Sequence, residues 1–362
     1  MKKILIIHHA AEYGGGSKAA FQIAKMLRDD YIVEFLIPDY CEDFYKILKS
    51  EDYNVHLFHG YMGGIYNYSG GPRVISRTFL KMLFKIPTSA MQLYKFMNKH
   101  EFDICIINSS VISWAVHILK SKYKICFIRE TVHKNILYKL EKKYVDKFDT
   151  TCFISKHDLE LWDLKQTNKL LVYDCVDVED ICMKRSNKTI KNILYLGGDS
   201  DLKGWQTIKK LIENHPEYNY HVAGKVSENN IINAEHVNYY QMVNHVESLY
   251  HIADVILLPS TSPHQLMPIF EAGLYQVPVI TTDFEIIHEH ISNNFNGILV
   301  PLNDVSGIVK ALVELNDDYD LKKYIIENNY KKSISHSYKN VRKRFLYDLE
   351  NLLKGLTSYE DI

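Results

Sequence analysis

The stretch from Ala253 to Asp283 reads ADVILLPSTSPHQLMPIFEAGLYQVPVITTD, and its pattern decides the fold. The apolar run Val255 to Leu258, closing on Pro259, has the length of a buried strand, and Val277 to Thr282 has that of the next. Between them Ser260, Thr261, Ser262 and Pro263 are turn formers. Ile269 to Tyr275 is built from helix-compatible residues, which places Glu271 in a first helical turn. Strand, loop and helix in this order are the repeating unit of an α/β sheet. Ligands of such sheets lie beyond the carboxyl ends of the strands, where helix amino termini face them. A carboxylate there is a poor partner for phosphate but accepts hydrogen bonds from ribose or sugar hydroxyls. A Glu that merely complements its helix dipole explains the same residue equally well.

Outward from this stretch, the 362 residues, 46% hydrophobic and 24% charged, suffice for two globular cores. The net charge of -1 makes no case for nucleic acid, yet it is unevenly spread. Residues 1 to 172 hold 25 Lys/Arg against 18 Asp/Glu, whereas the rest holds 18 against 26. A basic amino-terminal half points to an anionic surface or acceptor on that side. The six cysteines, Cys41, Cys105, Cys126, Cys152, Cys175 and Cys182, show no metal-binding spacing and read as reduced, buried thiols. With no signal peptide pattern and no long apolar run, a cytoplasmic protein is expected.

In the first half, Ile4 to Ile7 has the continuous apolar character of a central parallel strand. Gly14, Gly15 and Gly16 follow, and Ser17 is expected to cap a helix over Lys18 to Arg28. Glycines before a helix let backbone amides approach a phosphate, although a purely structural turn has the same composition. Further strands are expected at Val33 to Ile37, Ile104 to Asn108, Lys124 to Ile128, Thr151 to Ser155 and Leu170 to Val176. Arg129, Glu130 and His133 directly follow one of them, at the edge where ligands bind, as acid, base or substrate contacts. A local Arg129–Glu130 ion pair is the structural alternative. Ser155 with Asp158 is expected to cap the helix that follows.

Gly60 to Pro72, with its glycines and tyrosines, is a candidate acceptor loop or an ordinary surface loop. From Arg73 to Lys99 there are six cations and no acid, interleaved with large apolar residues. Arg73, Arg77, Lys81 and Lys85 recur every four residues along one helical stripe. That is how a helix lies on an anionic membrane, and equally a solvated face on a sheet-packed helix.

Lys184 to Lys191 is polar and unpatterned, the best linker candidate. A second βα series opens at Ile193 to Leu196, followed by Gly197, Gly198 and, a few residues on, Lys203, which could reach an anion. Tyr220 to Ala223 repeats the theme, ending on Gly224 and Lys225.

The order of these motifs resembles the retaining GT-B glycosyltransferases of family four. The matching segments are GGGSKAA, FISKHDLELW, VYDCVDVED, ILYLGGDSDLKGW, YHVAGK, LYHIADVILLPS, IFEAGLYQVPVITTD and NGILVPLND. The resemblance implies an α/β fold of two Rossmann-like domains facing across a cleft: residues 1–180 for the acceptor, 190–338 for the nucleotide-sugar, and 339–362 as a helix crossing back to the first domain.

It further implies a sugar transferase that uses a UDP-, GDP- or dTDP-sugar as substrate, with no metal or other cofactor. Its acceptor would be a glycan or lipid-linked glycan in surface polysaccharide synthesis, on the inner face of the plasma membrane. Gly15, Gly16 and Gly198 would then meet the donor, Lys203 the leaving diphosphate, Glu271 the ribose, and the backbone at Leu266 and Met267 the sugar and phosphate. The family often has a second glutamate eight positions before this one, where Pro263 stands here, so His264 or Gln265 would stand in for it. An expected arginine is Gly198, and Arg129 and Glu130 stand where the family has a histidine. These departures keep two alternatives open, a catalytically silent scaffold or regulator and a GT-B sugar-nucleotide epimerase. A dehydrogenase is disfavoured, because no GxGxxG with a downstream acid follows the first strand.

Overall fold

The computed structural model describes residues 1–9, 14–63, 77–129, 136–176, 189–240, 246–262 and 267–355, with backbone alone for 77–83 and 136. It divides into two compact units, Met1–Cys175 with Val341–Ile362, and Val176–Asn340. Each is a parallel sheet with helices, a Rossmann-like domain. Residues 184–188 of the linker candidate lie outside the described residues, as do 64–76 of the acceptor loop and basic segment.

The first unit's sheet has seven parallel strands: β1 (Lys3–Ile7), β2 (Ile32–Pro38), β3 (Asn54–Phe58), β4 (Phe102–Ile107), β5 (Ser121–Ile128), β6 (Thr150–Phe153) and β7 (Asn168–Leu171). Their order across the sheet is β3-β2-β1-β4-β5-β6-β7, so the winding reverses between β1 and β4. Continuous apolar runs made the inner strands readable, because both their faces are covered. β7 ends at Leu171 rather than continuing to Val176.

Helix α1 (Gly15–Leu27) begins earlier than the sequence suggests, with Gly14 at its cap position, and buries Ala19, Ala20, Ile23, Ala24 and Leu27. Ser17 is therefore inside the helix, and its hydroxyl meets the His8 ring instead of capping. The capping pair at α5 (Lys156–Leu161) does form: the Ser155 hydroxyl accepts from the Asp158 amide at 3.0 Å and donates to its carboxylate at 2.7 Å. The carboxy-terminal helix (Tyr338–Leu353) packs in this unit through Phe345 against Phe127, and Arg342 donates to the Met26 carbonyl.

The second unit has six parallel strands: β8 (Asn192–Tyr195), β9 (Asn219–Ala223), β10 (Val237–Tyr240), β11 (Val255–Leu258), β12 (Val279–Thr282) and β13 (Ile298–Val300). Their order is β10-β9-β8-β11-β12-β13, with the reversal between β8 and β11. Helix α8 (Met267–Leu274) starts two residues before Ile269, so Glu271 is its fifth residue and lies beyond the first turn. Pro268 permits this early start, since first-turn amides need no helical partner. Burial raises the thiols of Cys41 to about 11 and Cys105 to about 12, and the other described cysteines are buried as well.

Candidate functional site

Each sheet brings its candidate residues to the carboxyl ends of the strands where the winding reverses, the place where sheets of this kind leave a crevice. In the first unit, His8 follows β1 and Asn108 follows β4. Arg129 donates Nε–H to Asn108 Oδ1 at 2.8 Å and Nη1–H to Asp174 at 2.5 Å. A guanidinium cannot accept, so the Asn108 amide nitrogen is fixed as the donor towards the Gly16 carbonyl at 2.8 Å and His8 Nδ1 at 3.3 Å. His8 therefore carries its proton on Nε2, which reaches Ser17 Oγ at 3.0 Å.

Burial, with His9 and Arg129 nearby, holds the His8 pKa well below the ordinary histidine value, so the ring is neutral. The guanidinium of Arg129 is thus directed at Asp174, 45 residues along the chain. Glu130 and His133 lie outside the described residues. Packing among the described residues does not demand glycine at the start of α1. A Cβ on Gly14 or Gly15 would meet nothing within 4 Å, and one on Gly16 only His8 Cε1 at 3.5 Å.

In the second unit glycine is demanded. Gly198 has φ +55°, and a Cβ there would lie 2.3 Å from the Lys225 carbonyl oxygen. Gly204 has φ +90°, and its Cβ would lie 1.9 Å from the Pro259 carbonyl oxygen. These close approaches fasten the loop after β8 to the ends of β9 and β11. Asp199 adds to the first of them by accepting from the Ser227 hydroxyl and amide and from Asn230, which depress its pKa to about 2.

The short 3-10 turn Asp201–Lys203 runs into Gly204, and Lys203 is half-buried there. Burial lowers its pKa from the ordinary lysine value. Glu271 is also half-buried and accepts the Tyr250 hydroxyl at 2.7 Å. Tyr250 comes from helix α7 (Glu247–Ile252), is fully buried, and stacks on Tyr275 at 5.1 Å. Burial first, and then Glu271, push the Tyr250 pKa far up, so its phenol stays a donor. Met267 opens α8 and is part-buried, whereas His264, Gln265 and Leu266 lie outside the described residues.

Sequence reasoning did not find Tyr250 or Asp174, because each is joined to its partner by the fold alone. His8 and Asn108 carried a usable signal, a polar residue immediately after a buried strand. Among the described residues no group of three potential metal ligands occurs, and no helix is long and apolar enough to cross a membrane.

Residues 182–332 match the family described as glycosyl transferases group 1. The chain is 24% identical over 293 residues to an uncharacterized 41.2 kDa protein in the cps region of Klebsiella pneumoniae, covering 70% of this chain and 82% of that one. Over 101 residues it is 30% identical to the Escherichia coli UDP-Gal:alpha-D-GlcNAc-diphosphoundecaprenol alpha-1,3-galactosyltransferase, which spans 28% of this chain and 25% of that enzyme. The crystal structure of Anabaena Alr3699/HepE in complex with UDP-glucose superposes with a TM-score of 0.75 at 14% identity, over 97% of this chain and 100% of that one. The second unit thus carries the match to the group 1 glycosyl transferases, and the chain as a whole has the GT-B fold.

Proposed function

We propose that this chain moves a sugar, with retention, from a nucleotide-sugar donor to a glycan or lipid-linked acceptor in the synthesis of a surface polysaccharide such as capsule, exopolysaccharide or O-antigen. The observation that carries this reading is the pair of half-buried groups of opposite charge in the second unit. Glu271 is presented by Tyr250, and Lys203 is set in a turn whose glycine has no substitute. Glu271 accepts the ribose hydroxyls, and Lys203 neutralises the diphosphate.

Gly198 and the backbone at Leu266 and Met267 approach the phosphates and sugar, with His264 and Gln265 in the position of the missing carboxylate. On the first unit Gly15 and Gly16 offer open backbone to a phosphate or sugar, and Arg129 stands at the edge of its sheet, with Glu130 and His133 acting as acid, base or substrate contacts. The acceptor oxygen forms its bond to the anomeric carbon as the bond to the diphosphate oxygen breaks, and the departing phosphate takes the acceptor's proton. Positioning and a fixed cation supply the rate, with no metal in the scheme. The UDP-glucose complex of the Anabaena relative and the diphosphate-linked acceptor in the name of the Escherichia coli relative support the substrate classes.

Titration calorimetry with UDP, GDP and dTDP tests the reading, with saturable binding of one of them expected. Binding of none would favour a silent scaffold.

A membrane surface is the second part of the proposal. Phe84, Met91 and Tyr94 on helix α3 (Arg77–Lys99) are 82%, 53% and 51% exposed, beside exposed Lys85 and Lys95. Leu93 and Met97 bury the opposite face. Apolar side chains flanked by cations suit the anionic inner face of the plasma membrane. The protein is expected to float with phosphatidylglycerol vesicles at low salt and to stay behind with phosphatidylcholine. Failure to float with either would make the stripe a solvated face.

A further inference from the structure

The turn that carries Lys203 is held from the strand on the other side of the winding reversal. Thr261, three residues past β11, donates its amide to the Leu202 carbonyl at 3.0 Å and its hydroxyl to the Asp201 carbonyl at 2.8 Å. Two residues earlier, the Pro259 carbonyl occupies the space where a side chain on Gly204 would be. The loops after β8 and β11 therefore touch, backbone to backbone, at Gly204, and Thr261 adds a two-point grip on the residues just before Lys203. The helix that bears Glu271 begins at Met267, six residues beyond Thr261.

We propose that Thr261 is a positioning residue for the donor site, holding the Lys203 turn against the carboxyl end of β11. The diphosphate cation is then fixed to the end of the neighbouring strand rather than carried on a free turn. Threonine suits the task because β-branching restricts its χ1, so its hydroxyl is already aimed when the amide bond forms. The proposal rests on the reading of Lys203 as the diphosphate cation.

Thr261→Val keeps the shape and the amide bond and removes only the hydroxyl, while the Asp201 carbonyl retains the Gly204 amide at 3.0 Å. Calorimetry with UDP and with UMP, or the matching pair if another base is bound, separates a displaced cation from general damage. UMP lacks the second phosphate. Thr261→Val is expected to weaken UDP binding about tenfold, the order of one hydrogen bond, with UMP affinity unchanged. Thr261→Ser is expected to restore the UDP affinity.

Equal losses for UDP and UMP, or no loss for either, would overturn the proposal, as would a serine variant that behaves like valine. Lys203→Met distinguishes the two levels. If it weakens UDP binding and Thr261→Val does not, the positioning role alone fails; if it leaves UDP binding intact, the underlying reading fails with it.

Discussion

Replacing Lys203 with methionine is expected to lower kcat by about 10²–10³, the usual consequence of removing one preorganised group that stabilises developing charge. Methionine fills similar space without the ammonium, so the turn at Gly204 and its contact with Pro259 should survive and the melting temperature should barely move. On this proposal the charge matters more than on an open surface, since a half-buried cation would face the leaving diphosphate with less water between them. The same burial gives the variant series a pH signature. Desolvation lowers the Lys203 pKa, so the ammonium is present below that value and lost as pH rises through it. Activity should therefore fall on the alkaline side at a lower pH than an ordinary lysine would set. Lys203→Arg, charged at every accessible pH, should abolish that limb whatever its absolute rate. A pH–rate profile of kcat for the wild type and the arginine variant reads this directly.

Glu271→Ala is expected to raise the KM for the donor by about 10²-fold, because two charge-assisted hydrogen bonds from the ribose would be lost. It should also cost stability. The Tyr250 hydroxyl is fully buried and donates to Glu271 at 2.7 Å, so the alanine leaves a buried donor without that acceptor, at about 1–3 kcal/mol. Glu271→Gln separates the two effects. Its amide oxygen still accepts from Tyr250, so the melting temperature should stay near the wild type, while neutral hydrogen bonds to the ribose leave KM between the two extremes. Thermal melts and donor-saturation kinetics on both variants check this. An alanine variant with wild-type KM would remove Glu271 from the donor site.

The central strands were legible in the sequence because a parallel strand covered on both faces is a plain apolar run, as in Ile4 to Ile7 and Val255 to Leu258. The edge strands were not. Asn54–Phe58 and Val237–Tyr240 are half-exposed and carry Asn, His and Tyr among their apolar residues, so they resemble loops until their neighbours pair with them.

Helix starts slipped where a side chain had a better use elsewhere, as with Ser17 and His8, or where a proline was taken as outside the helix, as at Pro268. The glycines at 198 and 204 and the lysine between them stood out locally. What holds them did not: the partners Lys225, Pro259 and Thr261 follow other strands. Arg129 illustrates the same limit, since the Asp174 it reaches lies beyond two more strands.

The most direct measurement is release of nucleoside diphosphate by the purified chain across UDP-, GDP- and dTDP-sugars, with and without a diphosphate-lipid glycan acceptor, and with Lys203→Met in parallel. Release is expected from one donor class, to require the acceptor, to yield a product with the donor's anomeric configuration and to collapse in the variant. Donor interconversion without acceptor, or nucleotide binding with no release from any donor, would contradict it.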